Sequence, residues 1–186
     1  ETVETLIVQA RHSAKIEKIV FIMGSDEFNS EWTGMTTKGT PQQNILSYEE
    51  AFEQICNHNL RLLARLYLHC PNIDVLYIKG NHDEWFNEYL QTGQHGSQWT
   101  QGAHTTRNSY GERSFMIPES HEKFFRTQLP YYIDDQNRCF VHGGFNRHFT
   151  MKENQASCEY MFWWDRDLWA SALSYKAMDK GLVYLN

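Results

Sequence analysis

Hydrophobic and polar positions along this chain follow a pattern that predicts short strands separated by helices. The apolar runs 18–23 and 73–79 are short and end at glycine, so both are predicted to be strands. Between them, apolar side chains in residues 51–68 recur at helical spacing after Ser47-Tyr48-Glu49-Glu50, a capping box that predicts a helix start. Pro71 marks the end of this helix. The pattern therefore predicts a strand–helix–strand unit.

The same pattern predicts further elements on both sides of this unit. Residues 5–16 and 119–128 are predicted to be helical. Asp134-Asp135-Gln136-Asn137 lies between two short apolar runs, which predicts a β-hairpin. Residues 92–118 are rich in Gly, Gln, Ser and Thr and are predicted to be a surface insertion, whereas the aromatic-rich residues 160–180 are predicted to form a helix. Because strands and helices alternate, we expect a layered α/β fold.

Length and composition exclude several classes of protein. At 186 residues, with 41% hydrophobic and 15% aromatic side chains, the chain can bury a sizeable core and is not expected to be disordered. The formal net charge of −6 argues against a general nucleic-acid binder, but bound divalent metals would still attract an anionic substrate. No apolar run approaches the roughly 20 residues of a membrane-spanning helix, so no membrane partner is expected. The four cysteines form no regular framework, and we expect reduced thiols in a cytoplasmic protein.

Three predicted strands end in glycine-containing loops that carry side chains able to bind a metal ion. These loops are Gly24-Ser25-Asp26, Gly80-Asn81-His82 and His142-Gly143-Gly144. In α/β sheets, ligand sites collect at the carboxyl ends of strands, and glycine allows the backbone to approach an ion or a phosphate closely. One carboxylate, one amide oxygen and imidazoles together form a donor set suited to Mn, Fe or Zn.

These loops resemble the metal-binding motifs of the calcineurin-like metallophosphoesterases. Residues 24–42 are similar to phage-type members of that superfamily, and residues 80–173 are similar to its bacterial serine/threonine protein phosphatase-like members. The resemblance implies an αββα sandwich of mixed β-sheets flanked by helices. It also implies two divalent metal ions, which would be Mn, Fe or Zn. The implied location is the bacterial cytoplasm, for a protein encoded either by the bacterium or by a phage.

The resemblance also implies roles for individual side chains. The implied metal ligands are Asp26, Asn81 and His142. His82 is implied to be the general acid that protonates the leaving oxygen after attack by a metal-activated hydroxide. We expect Asp83 to orient His82 or a ligand, with an acid at a helix N-terminus as the alternative. Arg147 is placed to hold a phosphate, with a surface salt bridge as the alternative.

Each implied metal ligand also has a purely structural interpretation. Asn81 would then be the cap of a helix, and Asp26 would satisfy backbone N–H groups in a turn. His142 would be a buried imidazole that is hydrogen-bonded to the backbone. These alternatives stay open at the level of the sequence.

The sequence thus predicts a metal-dependent phosphoester hydrolase, most simply a phosphomonoesterase or protein phosphatase-like enzyme, whose partner is a phosphorylated small molecule or a phosphoprotein. A phosphodiesterase or nuclease with the same site is one alternative. A catalytically silent binding or structural module is another, because the family's Asp-x-His motif and final Gly-His loop do not occur here. We expect residues 1–186 to form a single metallophosphoesterase-like domain that is incomplete at both ends.

Overall fold

The computed structural model describes residues 2–24, 48–100, 102–111 and 116–177, which form a mixed α/β protein. The helices are α1 (Thr2–Ser13), α2 (Tyr48–His69), α3 (Asn81–Thr92), α4 (Ala103–Ser109), α5 (Glu119–Thr127), α6 (Met151–Cys158), α7 (Met161–Trp164) and α8 (Asp167–Ala177). The strands are β1 (Ile19–Gly24), β2 (Ile73–Ile78), β3 (Tyr132–Ile133) and β4 (Cys139–Phe140). None of the helices in the described ranges combines the length and apolar character needed to cross a membrane. The chain divides into two compact units, Glu1–Leu76 and Tyr77–Asn186.

The first unit contains the predicted strand–helix–strand arrangement. β1 and β2 pair in a two-stranded sheet, and α2 connects them along the chain. The N–H of Ile19 donates to the carbonyl of Asn72 at 2.9 Å, so both strands begin at the same end of the sheet. Arg11 of α1 donates to the carbonyl of His69 at the end of α2 at 2.6 Å. The predicted long loop 25–46 and the predicted capping residue Ser47 lie outside the described residues.

The second unit has an aromatic core in which α3 packs against α5. The ring of Phe86 on α3 lies 4.6 Å from that of Phe125 on α5 in an edge-to-face arrangement, which suits the charge distribution of aromatic rings. The buried members of this core are Phe86, Tyr89, Trp99, Ala103 and Ile117. The last three belong to residues 92–118, so this segment, predicted to be a surface insertion, is mostly exposed where the structure describes it but also contributes three side chains to the core. Most residues of this segment are polar, so its composition did not indicate that a few apolar positions are buried in the core.

The predicted hairpin is confirmed. β3 and β4 are antiparallel, and Tyr132 is opposite Phe140. The turn depends on Asn137, whose φ of 61° lies in the left-handed region that Asn tolerates better than most residues. Asp134 accepts hydrogen bonds from the N–H groups of Gln136 and Arg138 at 2.9 and 2.8 Å. These local interactions explain why the turn could be predicted from four residues.

The aromatic-rich tail forms two helices where one was predicted. α7 ends at Trp164, because Asp165 is extended with a ψ of 140° and its carboxylate accepts from the N–H of Leu168 at 3.4 Å, in the first turn of α8. Phe162 and Trp163 are buried, and Trp164 is exposed. The tail is therefore partly core and partly surface.

The four cysteines, all in the described part of the chain, are free thiols. Cys56 is exposed, Cys70 is buried, and the other two are half-buried. Burial raises the pKa of the Cys139 thiol to about 11. A thiol of that pKa stays protonated at neutral pH and is a poor nucleophile.

A capping box begins α6. The hydroxyl of Thr150 accepts from the N–H of Glu153 at 3.2 Å, and the Glu153 carboxylate accepts from the N–H of Thr150 at 2.7 Å. Hydrogen bonds from the backbone N–H and the hydroxyl of Thr150 lower the pKa of Glu153. A lowered pKa in the folded state means that this carboxylate stabilises the fold above its ordinary pKa. That stabilisation is lost as the pH falls through the folded-state pKa.

We expect Thr150→Ala to lower the free energy of unfolding by about 1 kcal/mol at neutral pH, because the cap is lost. Glu153→Gln should destabilise the protein at neutral pH and have a smaller effect in acid, where wild-type Glu153 is also uncharged. Urea denaturation at the two pH values measures both effects. Asp135→Asn removes an exposed carboxylate from the hairpin turn and is the matched control. A Glu153→Gln effect of the same size at both pH values would contradict the role of the charge.

Candidate functional site

Asn81, His82 and Asp83 form the first turn of α3, directly after β2. The residue that caps this helix is Gly80, so the prediction that these residues lie in a loop, and the alternative that Asn81 is the cap, were both wrong. The N–H of Lys79 donates to the carbonyl of Leu129 at 2.8 Å. The chain after α5 therefore runs beside the end of β2 and fixes the point at which α3 starts.

Asp83 is held at the start of α3 by two hydrogen bonds. Its carboxylate accepts from the N–H of Gly80 at 2.9 Å and from the Nε2 of Gln128 at 3.2 Å. Asp83 thus has the role that was considered for it as an acid at a helix N-terminus. Burial raises the pKa of Asp83, and the hydrogen bonds from Gly80 and Gln128 offset only part of that rise.

Two imidazoles also act on the Asp83 carboxylate. His142 and, to a smaller extent, His82 lower its pKa electrostatically, although the net shift remains upward. His82 precedes Asp83 in α3, whereas His142 follows β4 much later in the chain. Each of the Gly-Asn-His and His-Gly-Gly motifs thus contributes an imidazole that lowers the pKa of Asp83.

Gln128 also contacts Asp83, although no sequence motif predicted this role. We refer to Asn81, His82, Asp83, Gln128 and His142 as the observed cluster. Gln128 is 6% exposed, and its Oε1 is buried with no hydrogen-bond partner among the described residues. A buried polar atom without a partner costs about 1–3 kcal/mol, so such atoms are rare unless they serve a purpose. No motif surrounds Gln128 in the sequence. Only the pairing of the next residue, Leu129, with the end of β2 places it beside Asp83.

The glycines of the His-Gly-Gly loop are explained by close packing against α7. The N–H of Gly143 donates to the carbonyl of Phe162 at 2.6 Å, and the N–H of Gly144 donates to that of Met161 at 3.1 Å. A Cβ on Gly143 would lie 2.9 Å from the carbonyl carbon of Trp163, closer than real Cβ atoms approach. His142 is half-buried, with its Nε2 atom buried. The loop is thus fixed by backbone contacts.

Charged and aromatic side chains surround the start of α3. The exposed ring of His82 stacks on Trp85, with centroids 5.2 Å apart. The Nζ of Lys79 lies 2.5 Å from the Oε2 of Glu84 and 5.4 Å from the ring centroid of Trp163. Because Glu84 neutralises Lys79, this lysine adds little net positive charge for an anionic substrate.

Two of the predicted site residues are not part of the observed cluster. Asp26 lies outside the described residues. Arg147 is exposed, and its Nη2 donates to the hydroxyl of Ser171 on α8 at 3.3 Å. The contact seen for Arg147 is thus a hydrogen bond to a hydroxyl, which differs from the salt bridge considered as its alternative.

The described residues supply only part of the predicted metal site. Asn81 and His142 offer an oxygen and a nitrogen donor of types that Mn, Fe and Zn accept. Within residues 2–24, 48–100, 102–111 and 116–177, no group of three or more His, Cys, Asp or Glu side chains could hold a metal ion.

The chain was compared with protein-family models, with curated proteins and with solved structures. None of the three comparisons finds a match.

Proposed function

We propose that this protein is a metal-dependent phosphoester hydrolase of the metallophosphoesterase type, with the αββα sandwich of that superfamily and phosphomonoesters as its substrates. One observation carries the proposal: Asn81, His82 and Asp83 begin α3 directly after β2, where the Asp83 carboxylate is held by the N–H of Gly80 at 2.9 Å and the Nε2 of Gln128 at 3.2 Å.

Four of the predicted site residues at or near the start of α3 and in the His-Gly-Gly loop have a role in this proposal: Asn81, His82, Asp83 and His142. Asn81 and His142 would bind metal, and the resemblance to the metallophosphoesterases implies Asp26 as a further ligand. When bound, divalent metals neutralise charge on the phosphoryl oxygens and lower the pKa of water. His82 is the general acid, and its exposure at the first turn of α3 leaves it accessible to the leaving oxygen of a substrate. Asp83, fixed by its two hydrogen bonds, would act on His82 and His142 through its charge.

The proposal is tested by assaying the full chain with phenyl phosphate in the presence of Mn²⁺ and after chelation. We expect turnover with the metal, a loss of roughly tenfold or more after chelation, and recovery when Mn²⁺ is restored. Elemental analysis should find about two metal ions per chain. Turnover that survives complete chelation would contradict the metal dependence. A chain that has neither metal nor turnover would instead support the silent-module alternative.

A further inference from the structure

Three aromatic side chains form a row that begins at the candidate acid. His82 stacks on Trp85 with ring centroids 5.2 Å apart and planes inclined by 29°. The ring of Trp85 in turn lies 5.2 Å from that of Trp164, at 55°. Both distances are typical of interacting aromatic rings. We refer to His82, Trp85 and Trp164 as the aromatic row.

The far end of the aromatic row is open to solvent. Trp164 is 41% exposed, whereas its neighbours on α7, Phe162 and Trp163, are 0% and 6% exposed. These two neighbours anchor α7 in the unit and leave the indole of Trp164 at the surface. Because burial of an indole is favourable, an exposed Trp beside another aromatic ring provides a surface on which a flat ligand can stack.

The aromatic row lies on α3, whose first turn contains Asn81 and His82, and on α7, which contacts the His-Gly-Gly loop. Trp85 lies one turn after His82 on α3. Trp164 ends α7, whose carbonyls at Phe162 and Met161 accept the hydrogen bonds of the His-Gly-Gly loop. A surface that is already fixed loses little conformational freedom when a ligand binds, so more of the stacking energy contributes to affinity.

We infer that the aromatic row binds the leaving group, and that the preferred substrates are phosphoesters whose leaving group carries a flat aromatic ring. The inference rests on the proposed function, in which His82 protonates the leaving oxygen. Water forms the new P–O bond while the bond from phosphorus to the leaving oxygen breaks. The leaving oxygen takes a proton from His82, and the proton lost by the water restores it. The group attached to that oxygen leaves beside His82, where Trp85 and Trp164 continue the row.

The aromatic ring could be that of a phenol or that of a nucleobase, and kinetics distinguishes the two. The full chain and its variants are assayed with phenyl phosphate, adenosine monophosphate and glycerol phosphate. We expect Trp164→Ala to lower kcat/KM for phenyl phosphate about tenfold, mainly through KM, and to leave glycerol phosphate within about twofold. Trp164→Phe should keep most of the preference. If Trp164→Ala also lowers kcat/KM for adenosine monophosphate, the aromatic row binds nucleobases as well as phenols.

The matched control is Trp169→Ala on α8, because Trp169 is 44% exposed, close to the value for Trp164. This control should change none of the three activities by more than about twofold. Equal losses for phenyl phosphate and glycerol phosphate in Trp164→Ala would overturn the inference. An effect of Trp169→Ala equal to that of Trp164→Ala would overturn it as well.

A binding experiment separates this inference from the proposed function. Calorimetry with the full chain in Mn²⁺ should show that phenylphosphonate binds about tenfold more tightly than methylphosphonate, and Trp164→Ala should remove the difference. A chain that shows this preference but hydrolyses no phosphoester would overturn the proposed function and leave the aromatic site in place. Hydrolysis without any aromatic preference in binding or kinetics would overturn the aromatic site alone.

Discussion

Replacement of His82 by Ala is expected to lower kcat for phenyl phosphate by about 10²–10⁴-fold without changing the metal content. In the proposed function His82 donates a proton to the leaving oxygen, so the loss should depend on how much that oxygen needs the proton. Para-nitrophenolate leaves more readily than phenolate and needs less protonation. We therefore expect a smaller loss with para-nitrophenyl phosphate, measured as the ratio of the two kcat values in the variant and the wild type.

The matched control for this prediction is His148→Ala. His148 is also an exposed histidine in the second unit, and the contact found for it is made by its backbone N–H, which donates to Asn146 at 3.0 Å. Its side chain should therefore be dispensable for turnover. An equal loss for both leaving groups in His82→Ala would exclude the general-acid role. Loss of metal together with retained turnover would contradict both the general-acid role of His82 and the metal dependence of the reaction.

The parts of the fold that the sequence predicted are those determined by neighbouring residues. The hairpin turn follows from Asp134 and Asn137, whose hydrogen bonds and left-handed backbone are local. By contrast, the role of Trp99 in the aromatic core depends on contacts with α3, which no local pattern encodes. The break between α7 and α8 was missed for a different reason. Asp165 lies in a run with continuous helical character, and its capping bond decides the boundary.

The candidate site divides in the same way. Asn81, His82 and Asp83 could be found because they are contiguous and follow a strand. Gln128 could not, because its partner Asp83 lies 45 residues earlier and the pairing of the chain after α5 with β2 brings them together. The exposure of Trp164 could not be predicted from the sequence either, because the two aromatic residues before it, Phe162 and Trp163, are buried.

The His-Gly-Gly motif shows that one sequence pattern can have two physical causes. From the sequence alone, its glycines indicated close approach of the backbone to an ion or a phosphate. In the structure, the approach is to α7: a Cβ on Gly143 would lie 3.0 Å from the carbonyl oxygen of Met161 and 3.0 Å from the nitrogen of Trp164. Packing alone is thus sufficient to require glycine at this position. A ligand is an additional hypothesis that needs its own test.

Gly143→Ala is therefore expected to lower the free energy of unfolding by about 1–3 kcal/mol, because the added methyl group meets backbone atoms that cannot rotate away. The measurement is urea denaturation followed by Trp fluorescence. Five of the six tryptophans lie after residue 77, so the signal reports mainly on the second unit, which contains the mutation. The matched control is Gly96→Ala, whose Cβ would lie 3.5 Å from Glu88 in ordinary contact. Its effect should stay within about 0.5 kcal/mol.

Stability and activity together distinguish the two causes of the motif. If packing against α7 alone requires Gly143, the variant should lose stability, and turnover should fall only as far as the shifted loop displaces His142. If close approach to a ligand requires glycine at position 143, turnover of Gly143→Ala should fall while its free energy of unfolding matches that of Gly96→Ala. The contact of 2.9 Å with the carbonyl carbon of Trp163 favours the first outcome, because backbone atoms on α7 must move before the methyl group can fit.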